Sequence, residues 1–190
     1  MKRAFVLATL VVLLLPVALA AKDSKDSRDS GNSLARFEGG IGVDPVSSGV
    51  IPPPPANQQP LTTEAVNRNF VRGTPPPGQI WRIAALSAEV KTDGRIRVDG
   101  RGLLLAGGNN IGTNANQRVR ARLFCDATTA FDSANLVALQ PNGDFRIDDV
   151  LRSAGGATPP NPCGSPVLLI INGGGAWFAA GIPDLDHDSD

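Results

Sequence analysis

Val90-Lys91-Thr92-Asp93-Gly94-Arg95-Ile96-Arg97-Val98 has the pattern of a β-hairpin tip. Asp-Gly tolerates the positive backbone torsions that a tight turn between antiparallel strands demands. What flanks it suits strands. Trp81 to Val90 is rich in apolar residues, and Arg95-Ile96-Arg97-Val98 alternates polar with apolar. Successive side chains of a strand point to opposite faces, so Ile96 and Val98 are expected inside while Arg95 and Arg97 face water.

The same texture runs on toward the C-terminus. Leu103-Leu104-Leu105-Ala106 follows Gly100 and Gly102, a pair that predicts a bulge. A Gly/Asn loop, Gly107 to Asn116, leads into Arg118-Val119-Arg120-Ala121-Arg122-Leu123-Phe124-Cys125. Leu136 to Leu139 precedes the turn Pro141-Asn142-Gly143, after which Phe145-Arg146-Ile147 alternates. Val167 to Ile171 is apolar throughout, as a buried strand is, and Gly173-Gly174-Gly175 turns the chain into Ala176-Trp177-Phe178-Ala179-Ala180. With no amphipathic helix in view, these short strands predict an all-β domain over residues 76–183. The expected form is an antiparallel β-sandwich of about seven strands.

Two families can be compared with this pattern. An immunoglobulin domain places a Trp between its paired cysteines and a Tyr two residues before the second. Here Trp81 and Trp177 both lie outside the Cys125–Cys163 interval and the chain contains no tyrosine, so that pattern fails. Val137-Ala138-Leu139-Gln140-Pro141-Asn142-Gly143-Asp144-Phe145-Arg146-Ile147 resembles the strand-turn-strand hairpin of transthyretin-like and carboxypeptidase-regulatory-like domains. Asp93 to Gly108 is similar to exported bacterial proteins that carry no assigned activity. The resemblance implies an exported, mostly non-catalytic accessory domain and identifies no site residues.

The N-terminus has the composition of a secretory signal peptide. Lys2 and Arg3 precede an apolar run from Ala4 to Val17, and Ala18-Leu19-Ala20 supplies a small-x-small cleavage pattern. The run falls short of the roughly 20 apolar residues that a membrane span needs, and Pro16 interrupts it. Cleavage after Ala20 is therefore expected, leaving a secreted or periplasmic protein without a membrane span. Residues 21–34 repeat a cation-anion-hydroxyl triplet, Lys22-Asp23-Ser24 and its two successors, which predicts a solvated low-complexity spacer. Residues 35–75 form a proline-rich extended segment with room for one added strand, where Phe37, Ile41 and Val43 share a side. Pro52 to Pro55 and Pro75 to Pro77 favour polyproline II, and a stiff spacer is expected in preference to a ligand for a proline-recognition module.

Two cysteines, Cys125 and Cys163, are present in a chain expected in an oxidising compartment. A disulfide explains an isolated pair better than a metal site or two separate thiols. Without residues 1–20 the chain has 16 basic and 18 acidic residues, a balance that argues against a polybasic nucleic-acid binder.

Candidate chemistry is sparse. The single histidine, His187, lies in the acidic tail 184–190, where order is least expected, and Ser165 lacks a nucleophile elbow. Asp148 and Asp149 are adjacent and face opposite sides of a strand, so they do not make an acid/base pair. The tail carboxylates Asp184, Asp186, Asp188 and Asp190 suggest calcium, but the loop lacks its turn glycine and a closing Glu, so a solvated terminus is expected. No cofactor and no metal are expected.

The distinctive pattern is basic. Arg118, Arg120 and Arg122 share one strand face, and Arg95 and Arg97 share another. Were the two strands neighbours, they would form a stripe of guanidinium forks suited to an anionic glycan, a lipid head group or an acidic protein partner. The competing expectation is a solvated face neutralised by Glu89, Asp99 and Asp144 across the strands. The absence of interleaved aromatics weighs against single-stranded nucleic acid. Three functions follow, in order of expectation: a non-enzymatic binding or structural module of the envelope or extracellular space, an anion-binding protein, and a carboxylate-based hydrolase.

Overall fold

The computed structural model describes residues 32–50 and 64–184. The signal-like segment, the charged triplets, the first proline run and the tail beyond Asp184 lie outside the described residues.

In chain order the strands are β1 (Ser33–Gly42), β2 (Val46–Val50), β3 (Glu64–Arg68), β4 (Trp81–Arg82), β5 (Ala85–Lys91), β6 (Arg95–Arg101) and β7 (Leu104–Leu105). They continue with β8 (Arg118–Phe124), β9 (Ala130–Ser133), β10 (Val137–Ala138), β11 (Phe145–Arg152), β12 (Val167–Asn172) and β13 (Trp177–Pro183). The Asp93-Gly94 hairpin forms as expected: β5 pairs with β6, Val90 lies opposite Ile96, and the Gly94 amide donates to the Lys91 carbonyl at 2.9 Å. Gly94 has φ +88°, a torsion that only a residue without a Cβ adopts at little cost.

The all-β, antiparallel expectation holds, but the two-sheet sandwich does not. The strands run β1-β5-β6-β11-β9-β8-β12-β13 and return to β1, a closed barrel of eight antiparallel strands. Two strands outside residues 76–183 or too short to show a pattern seal the gaps a sandwich would leave: β9, and β1, which is the added strand that residues 35–75 left room for. An irregularity between Phe37 and Gly40 leaves Ile41 exposed and not on the buried side of Phe37 and Val43. β9 pairs with β8 (Arg122 opposite Asp132) and with β11 (Leu151 opposite Ser133). β1 pairs with β5 on one side and β13 on the other. Closure matters physically because it removes unpaired sheet edges.

The expected domain limits, 76–183, are therefore too narrow. The barrel begins at Ser33, inside the segment expected to be a low-complexity spacer, and Phe37 is fully buried. Gly181 leaves the space that Phe37 fills, since a Cβ there would lie 3.1 Å from that side chain. The bulge expected at Gly100 and Gly102 is also absent, because β6 keeps continuous register with both neighbours. Gly100 makes room for the Phe145 ring, and Gly102, at φ +64°, turns the chain out of the barrel.

Alternation sorts the barrel wall. Ile96, Val98, Val119, Ala121, Leu123, Phe145 and Ile147 are buried, while Arg95, Arg97, Arg118 and Arg146 between them are exposed. β12 departs from this rule: Leu168, Leu169, Ile170 and Ile171 are all fully buried. A strand buried on both faces needs a second cover, and residues 69–81 supply it as an outer strap. The Trp177 indole N–H donates to the Asn69 carbonyl at 2.9 Å, and its backbone N–H to the Pro75 carbonyl at 3.0 Å. Pro75 to Pro77 thus pack against the barrel, whereas the sequence suggested a free spacer.

The strap runs the length of the barrel. At one end Arg72 donates to the carbonyls of Asp126 and Ser165 and to the Ser165 hydroxyl, and lies over the Phe124 ring. This is the disulfide end: Cys125 closes β8, and its bridge to Cys163 pins the long β11–β12 crossover. At the other end the strap becomes β4, which pairs with β7. No helix among the described residues is long and apolar enough to cross a membrane.

Candidate functional site

The five arginines singled out by sequence do not form one stripe. β6 and β8 are separated around the barrel by β11 and β9. Arg95 bonds Asp93 at 2.7 Å, and Arg97 reaches Asp148 at 3.2 Å. Arg122 holds Asp132 with two bonds of 2.7 Å and reaches Thr74 of the strap at 3.3 Å, while Arg120 approaches the same carboxylate at 3.4 Å. Arg118 donates to the Leu136 carbonyl at 2.6 Å. The hydrogen bonds that Arg122 donates to Asp132 hold it above its ordinary pKa against the opposing effect of burial.

The remaining carboxylates are similarly engaged. Asp99 approaches Arg146 at 3.9 Å, and Asp144 accepts from the Gly102 amide at 3.0 Å and from the Asn142 carboxamide at 2.9 Å. Asp149 accepts from the backbone and side chain of Asn135 at 2.8 and 3.1 Å, bracing the break between β9 and β10. Burial opposes the charge on Glu89, yet Lys91 at 3.0 Å and Arg36 at 3.3 Å outweigh it and hold the carboxyl below its usual range. Among the described residues no three His, Cys, Asp or Glu side chains group in a way that would hold a metal ion. His187 lies outside the described residues.

A different surface stands out at the end of the barrel opposite the disulfide. A cleft of about 570 Å³ opens there, within the range of about 300–1,000 Å³ that ligand sites occupy. Three stretches of chain build it, residues 76–81, 105–117 and 172–178. The strap contributes Pro76, Pro77, Gly78 and Gln79, the Gly/Asn loop Asn110, Ala115 and Gln117, and the β12–β13 turn Asn172, Gly174 and Ala176. Trp81, Leu105 and Phe178 complete it. Trp81 and Phe178 stack with ring centres 4.2 Å apart and planes 10° from parallel, a firm apolar base.

Local chemistry fixes each wall. Val43 donates to the Phe178 carbonyl at 3.2 Å and accepts from the Trp81 amide at 3.0 Å, so β1 locks the base from behind. Gly42 permits this approach, since a Cβ there would collide with the Trp81 carbonyl. The Asn114 carboxamide ties the Gly/Asn loop to the carbonyls of Leu139 and Gln140 at 3.0 and 2.9 Å. Asn172 accepts at Oδ1 from the amides of Gly174 and Ala176 at 3.0 and 2.9 Å.

None of the lining side chains carries a formal charge. The side-chain carboxamides of Gln79 and Asn110 make no hydrogen bond within the described residues, and neither does Nδ2 of Asn172, whereas Gln117 donates to the Ala115 carbonyl at 3.4 Å. A second cleft of about 580 Å³ runs along the same loop past Thr113, Asn116 and Pro141, sharing Asn110 and Ala115 with the first. The sequence marked residues 107–116 as a loop; the density of Asn and Gly there was the available signal for a polar surface. The contributions of the strap and of Asn172 depend on tertiary approach alone. Comparison with family models, curated proteins and solved structures finds no match to this chain.

Proposed function

We propose that this chain is an exported, non-catalytic binding module whose binding surface is the uncharged cleft at one mouth of the barrel. One observation carries the reading: the side-chain amides of Gln79 and Asn110 and Nδ2 of Asn172 have no partner within the described residues, whereas four of the five candidate arginines are already paired with carboxylates. A polar group without a partner in its own chain gives up no internal hydrogen bond when it meets a ligand. At Arg95, Arg97, Arg120 and Arg122, by contrast, an external anion competes with a carboxylate already in place.

The surface is tested by amide NMR of the mature protein titrated with xylitol and, separately, with sodium sulfate. Xylitol is expected to shift Gln79, Asn110, Gln117 and Asn172, and sulfate to give no localised response. Sulfate-induced shifts gathered at Arg95 and Arg97 or at Arg118 to Arg122, with the cleft silent, would transfer the function to the arginines.

Export is tested by intact mass after secretion, with and without reductant and alkylating agent. The expected mass begins at Ala21 and gains two alkyl groups only after reduction. A retained signal-like segment, or thiols alkylated without reductant, would overturn the assignment to an oxidising exterior.

A further inference from the structure

We infer that the ligand of this cleft is a neutral oligosaccharide chain; the inference rests on the cleft being the binding surface. The argument is one of matched chemistry. A carboxamide presents two donors and an acceptor side by side. A sugar hydroxyl also donates and accepts, so amides and hydroxyls satisfy one another in either direction. An anion would meet amide oxygens as well as amide N–H groups, and the lining supplies no cation to offset its desolvation. A wholly apolar ligand would strand the amides of Gln79 and Asn110 away from water.

The apolar part of the lining completes the match. Pro77, half-buried, lines the cleft with the buried Trp81–Phe178 stack beneath and offers its ring to the C–H face of a pyranose, while the amides meet its hydroxyl edge. The second cleft shares Asn110 and Ala115 with the first and is likewise lined without formal charge along the loop to Pro141, which offers surface to a further unit of the same chain. An extended peptide would be read instead through main-chain bonds to a sheet edge, and the barrel proper is closed.

The test is calorimetric titration of the mature, disulfide-bonded chain with cellohexaose, xylohexaose, maltohexaose and N-acetylchitohexaose, with a heparin hexasaccharide as the charged comparison. At least one neutral chain is expected to bind with an affinity that does not change between low and high salt. Gln79→Ala with Asn110→Ala should weaken it by about tenfold while the rest of the amide spectrum stays in place. Arg97→Gln should leave it unchanged. Absence of binding across the neutral set, with the xylitol response at the cleft intact, would overturn the saccharide assignment and leave the cleft as the surface. Binding to heparin alone, weakened by salt and by Arg97→Gln, would overturn both.

Discussion

A chain started at Asp44 is expected not to fold, although every strand expected within residues 76–183 is retained in it. β1 sits between β5 and β13, and its removal leaves both with open edges. It also takes away Phe37, fully buried, and Val43, whose two backbone bonds hold β13 against β4. Truncating one buried Phe to Ala costs about 3–5 kcal/mol, against a total stability of about 5–15 kcal/mol for a domain. Loss of a whole wall of the barrel exceeds that margin. The milder variant Phe37→Ala should fold but unfold at lower urea, with its slope unchanged. Circular dichroism and urea titration of both chains decide the matter. A truncated chain with a cooperative transition at the full-length midpoint would show that β1 is an ornament and the barrel is held by the other strands.

That dependence explains which parts of the fold were legible. The Asp93-Gly94 turn is local: four residues specify it, and the alternation on one side of it marks the inner face of β6. The same holds for the Gly173 to Gly175 turn between two apolar strands. The Pro141-Asn142-Gly143 turn also forms, closed by the Gly143 amide on the Gln140 carbonyl at 2.8 Å, but β10 before it pairs with β8 and not with β11. Closure was hidden because it is made by pairs distant in sequence. β1 carries Gly39, Gly40 and Gly42, which weaken any strand pattern, and their small size is what lets Ile182, Ile83 and the Trp81 carbonyl come close. β9 has four residues, Ala130-Phe131-Asp132-Ser133, too few for a period to show.

The site divides along the same line. That Arg118, Arg120 and Arg122 share a face follows from the two-residue period of a strand, and they do. Their carboxylate partner does not follow, since Asp132 arrives from β9. The cleft draws on three segments spread from Pro76 to Phe178, and its lack of charge is a property of the assembled surface. Nor does sequence reveal that the proline run at 75–77 is bound down. The Trp177 backbone and indole N–H groups do this, from about a hundred residues away.

Replacing both cysteines by alanine is expected to lower the unfolding midpoint by about 8–16 °C. The bridge closes a separation of 38 residues, for which the loop-entropy relation gives about 4 kcal/mol as an upper value. Each kcal/mol moves the midpoint of a domain this size by about 2–4 °C. The effect should not be uniform. Cys125 and Cys163 fix Asp126 and Ser165 at the end of the barrel where Arg72 makes its hydrogen bonds, and the strap beyond Arg72 carries Pro76, Pro77 and Gln79 to the cleft at the far end. Freed from that anchor, residues 69–77 should lose amide protection before the barrel strands do. The cleft should respond as well, although it lies at the end of the barrel opposite the sulfurs. Hydrogen exchange on the native and double-alanine chains, followed by xylitol titration of each, reads both effects. Equal protection of residues 69–77 in the two chains would show that β13 alone holds the strap, through Trp177, and that the disulfide serves only the β11–β12 crossover it closes.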